Sequence, residues 1–518
     1  MNPSTRVALN TFVTYVRSVA GLVFGLFSSR WILAALGQTD YGIYGVVGSV
    51  IAVATFLNTV LATSVSRFYS VTIGETAVAA LPQDGNAELK GWFNAAFVLH
   101  VGIAVAVLVI GWPLGEWALR HLLTIPADRV ASSLWVLRAG LVAAALSVAS
   151  VPYSGMFTAW QRFGELAMFE LLRSGVTFAV AAYMLSASGD RLVVFAFLLA
   201  GLSCAISLLQ MARARFRFGA CRIECGTLSQ MVRIRELVTY AGWRVLGIFG
   251  WLVQKQGGAF AVNVSFGTKA NAAFSIANQV VTHASALMNA LAAALVPAFA
   301  AEMGKGGGAV VKPFALKSCK FTGILAAVCA VPLLCEMDYI LRLWLHVPPD
   351  GSVALASSFI VAMVVDSSTT GIVAALSAAR NIGRWQTFEC LVLTCTCPAA
   401  LICFWHGLSL GAIGVVFVAA SALIVVGRVL FAWRMLKLKA GEWLMRSLLP
   451  IVVVVLLSAV SAWTIRAFLS PSLLRFGLVV FGSSFATFWA ACMIAMNSQE
   501  RKAAWQIITK GWREHGGR

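Results

Sequence analysis

The chain has 518 residues, 60% hydrophobic and 11% charged, with a formal net charge of +19 and a mean hydropathy of +0.86. A soluble globular protein carries about 25% charged residues, so the composition reads instead as an all-α polytopic membrane protein. The basic residues are scattered between apolar runs rather than gathered in a domain, which argues against a nucleic-acid partner.

The Met1–Asn10 leader enters an apolar run that continues to about Leu36, too long for a signal-peptide core and without a cleavage site. It is therefore predicted to be a retained first span. Hydropathy predicts about fourteen spans: 12–36, 42–70, 91–114, 131–156, 163–186, 191–212, 237–264, 271–299, 315–337, 352–379, 385–405, 410–432, 447–467 and 473–496. With a cytoplasmic N-terminus, the inner segments hold 24 of the 39 Lys and Arg residues, the outer segments eight and the spans seven. That bias alternates correctly from loop to loop and predicts that both termini are cytoplasmic.

The longest connector, 213–236, is basic, with Arg213, Arg215, Arg217, Arg222, Arg233 and Arg235. A faint repeat flanks it. "VTYVRSVAGL" (13–22) resembles "VTYAGWRVLGI" (238–248), and each opens a long helix ending in a glycine-polar turn, "LGQTDYG" (36–42) or "FGTKANA" (266–272). The predicted division is an N-lobe 1–212, a linker 213–236, a C-lobe 237–433, two further spans in 434–497 and a basic tail 498–518. Duplicated halves of this kind place a transported substrate at their interface.

Charges inside the spans are the functional candidates, since each costs roughly 2.5–3.5 kcal/mol on insertion scales. Arg17 and Arg67 lie near the inner face and Arg30 near the outer one, where long side chains also snorkel. Arg138 sits in the fourth span, and Glu170 and Arg173, three residues apart, can neutralise one another. In the seventh span Tyr240, Arg244, Trp251 and Lys255 share a helical face. Arg244 is within reach of the interface, whereas Lys255 is deeper, without an acid within one turn. In the eighth, Asn271, Ser275, Asn278, Thr282, Ser285 and Asn289 form a polar stripe flanked by Gln279 and His283. Such a stripe either bonds to a neighbouring helix or walls a wet cavity.

Asp366 stands at the middle of the tenth span before Ser367, Ser368, Thr369 and Thr370. A carboxylate there is a proton or cation relay, or the partner of a buried cation. The excess of cations in the spans points to an anionic cargo. No P-loop is present and no acidic pair in an outer loop implies glycosyl transfer, so a transporter is favoured over an enzyme. The eleven cysteines, including Cys221, Cys225, Cys395 and Cys397, lack the pairing of a zinc site, so no metal or cofactor is expected. They read as small apolar fillers.

The stretch "SSRWILAALGQTDYGIYGVVGSVIAVATFLNTVLATSVSRFYS" (28–70) resembles the start of bacterial polysaccharide transporters and lipopolysaccharide-biosynthesis flippases of the MOP exporter superfamily. The likeness continues through "IPADRVASS" (125–133), "SVPYSGMFTAWQRFGELAMFE" (150–170) and residues 266–300, more than half the chain in order. The resemblance implies two six-helix bundles with two extra C-terminal helices. It also implies alternating access that carries an undecaprenyl-diphosphate-linked glycan to the outer leaflet of the bacterial inner membrane, in a pathway with glycosyltransferases and a polymerase. Basic groups in the relatives' central cavity meet the diphosphate; by position Arg17, Arg30, Arg67, Arg244 and Lys255 match that part. Asn271, Asn278, Gln279 and His283 join them as substrate-binding candidates, and Asp366 and Glu170 are the ion-coupling candidates. The competing readings are a cation-coupled multidrug antiporter of the same superfamily, a membrane-embedded polysaccharide polymerase or glycosyltransferase, and, as a close cousin, a peptidoglycan-precursor flippase.

Overall fold

The computed structural model describes residues 3–79, 84–160, 162–223, 228–306, 308–378, 383–496 and 501. Within them the backbone is helical, with no strand, as hydrocarbon demands of a chain that must satisfy its own amides. In order the helices are α1 (Pro3–Ala79), α2 (Asp84–Ala106), α3 (Trp112–His121), α4 (Val130–Ala159), α5 (Phe163–Met184), α6 (Arg191–Arg217), α7 (Leu228–Leu252) and α8 (Gly258–Gly306). They continue as α9 (Gly308–Leu345), α10 (Ser352–Ser367), α11 (Thr370–Ala378), α12 (Gly383–Trp405), α13 (Ala412–Leu436), α14 (Ala440–Trp443), α15 (Leu449–Phe468) and α16 (Leu473–Ala490). The predicted spans fall largely on helix among the described residues, except that the one at 352–379 is broken between α10 and α11. Among the described residues nine helices are long and apolar enough to cross a membrane, and ten if the bent pair α10–α11 is one span. The chain is a multi-pass membrane protein.

Two long helices are each bent at a glycine. α1 turns at Gly37 (φ 74°, ψ 173°) and α8 at Gly267 (φ 79°, ψ −169°). This backbone region is open essentially to glycine alone, so the repeated "LGQTDYG" and "FGTKANA" segments share one uncommon turn. The two turns also touch. A Cβ on Gly42 would lie 1.8 Å from the Thr268 carbonyl oxygen, and the Asn271 amide donates to the Gly42 carbonyl at 3.0 Å.

The chain divides into two compact units, 1–275 with 393–406, and 276–392 with 407–518. In the first, the core includes Tyr69, Phe93, Tyr153, Phe157, Phe169 and Phe218, with edge-on contacts such as Phe93–Tyr153 and Phe157–Phe218. The basic connector proves largely helical: α6 runs to Arg217 and α7 starts at Leu228. Arg213 reaches Glu165 at 2.8 Å, and Arg233 lies over the Trp92 ring. Cys221 in this connector is buried, and burial pushes its thiol up to about 12, an inert filler at neutral pH.

In the second unit, α9 carries the pair α15–α16 at both ends. Arg475, at the start of α16, pairs with the fully buried Glu336 of α9 at 2.6 Å, and Arg466 donates to the Cys335 carbonyl at 2.8 Å. At the opposite end Ser447 donates to the Leu316 carbonyl and Lys320 to that of Ala495. Between these ties, Thr487 donates to the Ser458 hydroxyl, and Ser458 to the Ser483 carbonyl. Hydroxyls joining helices across a dry interface are the usual glue between membrane helices.

Candidate functional site

Lys255 lies in a π-helical turn, Val253–Gly257, that joins α7 to α8. Such turns add a residue to the helical register and recur at functional sites. Four residues apart, Lys255 and Trp251 remain neighbours, with the ammonium 4.4 Å from the ring centroid, a cation–π arrangement. The turn is seated against α12, where Cys397 donates its thiol to the Gly257 carbonyl at 3.3 Å. Arg30, half-buried, and Arg67, exposed, lie on the two limbs of α1. Arg17 and Arg244 have side chains that lie outside the described residues.

The stripe on α8 divides. Asn271 is fully buried and its amide is used in packing against Gly42. Asn278, Gln279 and His283 are half-buried and belong to the second unit. The Thr282 and Ser285 hydroxyls donate back to the Asn278 and Thr282 carbonyls of their own helix. Asn289 lies outside the described side chains.

Glu170 and Arg173 pair at 4.0 Å on the wall of a polar cavity of about 640 Å³ within the first unit. Ser147, Ser150, Ser154 and Thr158 line the cavity from α4 and Gln210 lines it from α6. The spacing of three, four and four places those hydroxyls on one helical face. Ser150, Ser154 and Thr158 donate to carbonyls of their own helix, leaving oxygen lone pairs as acceptors. Among the described residues Arg173 Nε is buried with no hydrogen-bond partner. The cavity thus offers acceptors, an amide and a guanidinium to a hydroxylated or charged group. The serine stripe on α4 escaped the sequence reading, although its spacing was visible there. Arg138, also on α4, is neutralised outside the cavity by Glu116 at 2.8 Å, between Trp112 and Trp135.

In the second unit Asp366 is the partner of a buried cation. Arg428 of α13 donates to Asp366 Oδ1 at 2.6 Å and to Thr369 Oγ1 at 3.0 Å, and its Nε bonds Glu389 of α12. Asp366 ends the straight part of α10, and α11 departs at 53°. The backbone freed at this break is taken up by neighbours. Thr322 donates to the Ser367 carbonyl at 3.0 Å and Trp443 to that of Ser368 at 3.2 Å. Broken membrane helices hold ions in many transporters; here a guanidinium occupies that place. Glu389 and Arg428 were not among the sequence candidates, and only the need of an in-span arginine for a carboxylate pointed to them.

Beside the break lies an apolar slot of about 680 Å³, walled by Val365 of α10, Val426 and Leu430 of α13, and Val452, Val455 and Leu456 of α15. Among the described residues no group of three His, Cys, Asp or Glu side chains could hold a metal ion.

No protein-family model matches the chain, and no curated protein matches it by sequence. Solved structures do match. The lipid II flippase MurJ, in an inward closed conformation, gives a TM-score of 0.64 at 9% identity, covering 94% of this chain and 98% of that one. An inward-facing multidrug resistance MATE family transporter of the MOP superfamily gives 0.61 at 13% identity, with 80% and 94% covered. A MOP superfamily transporter from Pyrococcus furiosus gives 0.50 at 14% identity, with 84% and 94% covered. The chain has the fold of the MOP superfamily transporters.

Proposed function

We propose that this protein is a flippase that carries an undecaprenyl-diphosphate-linked oligosaccharide from the inner to the outer leaflet of a bacterial inner membrane. It works by alternating access, with both termini cytoplasmic. The observation that carries this reading is the apolar slot of about 680 Å³ beside α15. A cargo with a long hydrocarbon tail needs such a slot, whereas a water-soluble drug does not. The hydroxyl-lined cavity of the first unit suits a glycan, whose hydroxyls donate to lone pairs of this kind. Lys255, with Arg17, Arg30, Arg67 and Arg244, meets the diphosphate. One cation about 4 Å from a phosphate charge gains roughly 4 kcal/mol at an effective dielectric of 20.

Reconstituted protein and a fluorescent undecaprenyl-diphosphate disaccharide test the reading. Wild type should translocate it. Val452→Trp, which fills the slot, should slow translocation at least about tenfold, the effect of 1.4 kcal/mol on a barrier. Lys255→Ala should weaken retention of the diphosphate form and leave an uncharged polyprenol analogue unaffected. Translocation at the wild-type rate by both variants would refute the proposal, as would a deletion strain that accumulates no lipid-linked intermediate.

A further inference from the structure

One face of α4 borders two hollows of the first unit. The polar cavity runs along Ser147, Ser150, Ser154 and Thr158. A second cavity, of about 500 Å³, continues along Val136, Gly140, Ala144 and the same Ser147. Steps of three and four keep these residues on one side of the helix. From Val136 to Thr158 that side is about 33 Å long, close to the thickness of the hydrocarbon core. The two hollows meet at Ser147 and follow one another along it.

The second cavity exists because its walls are short. Gly45 and Gly48 of α1, Gly140 and Ala144 of α4, and Ala196 and Ala200 of α6 carry at most one methyl group each. Among the described residues no atom lies within 4 Å of a Cβ added at Gly48, so this position opens onto the hollow. Tyr44 of α1, Ser147 of α4 and Ser203 of α6 bring hydroxyl groups to its wall. The Tyr44 ring is held edge-on against the buried Phe195, with centroids 5.0 Å apart. None of the described residues that line this cavity is charged, whereas the polar cavity has Glu170 and Arg173.

This wall suits an uncharged ligand that is hydroxylated at its rim and apolar on its faces. A diphosphate finds no cation there, and an acyl chain would leave three hydroxyls facing hydrocarbon. A neutral pyranose satisfies both demands: its C–H faces pack on glycine and alanine, and its hydroxyls reach Tyr44, Ser147 and Ser203. We propose that this cavity is a subsite for the outer, uncharged sugars of a glycan too long for the polar cavity alone, so that the cargo is an oligosaccharide longer than a disaccharide. The subsite rests on the flippase reading, in which the polar cavity takes the first sugars.

Reconstituted protein tests the proposal with two fluorescent undecaprenyl-diphosphate cargoes, a neutral disaccharide and a neutral tetrasaccharide. Wild type should translocate both. Gly48→Leu, which fills the second cavity, should slow the tetrasaccharide at least about tenfold and leave the disaccharide unchanged. Tyr44→Phe keeps the ring and removes one hydroxyl, and should slow the tetrasaccharide about fivefold. Gly201→Leu, exposed on α6 and outside the lining, should leave both cargoes unchanged. Equal melting temperatures for wild type and Tyr44→Phe show that the fold is kept. Equal slowing of the two cargoes by Gly48→Leu and Tyr44→Phe, or slowing of neither, would overturn the subsite while the flippase reading stands. Translocation of the disaccharide alone by wild type would do the same, and translocation of neither cargo would overturn both.

Discussion

Arg428 stands out among the cations of the spans because it meets two carboxylates and a helix break at once. Removing it leaves the largely buried Glu389 unpaired, and breaking a buried ion pair from one side costs about 3–5 kcal/mol; Asp366, which is exposed, adds little to that cost. Arg428→Ala should therefore lower the melting temperature of the detergent-solubilised protein far more than Arg428→Lys. Guanidinium ion added to the alanine variant should restore part of the loss; a variant as stable as wild type would show that the triad contributes little. The two glycine turns make a different kind of demand. Among the described residues no atom lies within 4 Å of a Cβ added at Gly37, so the backbone is what opposes a side chain there. Gly37→Ala should cost about 1–3 kcal/mol, the strain of holding alanine in a glycine-only region. Gly102→Ala, in open space within α2, should be neutral or stabilising. Thermal unfolding of the pair separates conformational strain from crowding.

At the scale of elements, one connector of the first unit is held by charge. Arg129 bridges Asp40, in the turn of α1, and Asp190, which caps α6, and Arg191 donates to the Ala35 carbonyl. Burial alone would raise the Asp190 carboxyl. Hydrogen bonds from Ser132, the Val193 amide and Arg129 outweigh it and hold the group below the usual carboxylate range. A carboxyl lowered in the folded state contributes stability above its unfolded pKa, and the contribution is lost as pH falls through the folded value. Asp190→Asn should therefore be less stable than wild type at neutral pH, and the gap should close in acid below about pH 4. A gap that is constant with pH would assign the effect to the helix cap alone. The apolar helices were legible in the sequence because hydropathy needs only run length; among the described residues nine, or ten with the bent pair, are long and apolar enough to span. The break at Ser367–Thr370 was not, since a run of hydroxyls there reads equally as helix or turn until Arg428, Thr322 and Trp443 are seen to bond it. The Asn271 stripe had two readings for the same reason: periodicity gives a face, and only packing says what the face meets.

At the scale of the whole chain, the glycine-turn repeat was legible because no other residue substitutes for glycine at those angles. The pairings of Glu336, Asp366 and Glu389 were not, because each joins residues distant in sequence. The orientation inferred from the Lys and Arg count is open to a direct check. A reporter fused within 213–236 should read cytoplasmic, and an external signal would invert every assignment of side. The last pair of helices is also more than an appendage. Glu336 is wholly enclosed, and its counter-ion Arg475 is supplied by α16. A chain cut short after Leu436 would leave that buried carboxylate without its counter-ion. Loss of the pair is therefore coupled to the identity of residue 336: a chain truncated after Leu436 should be retained in the membrane better with Glu336→Gln than with the native glutamate.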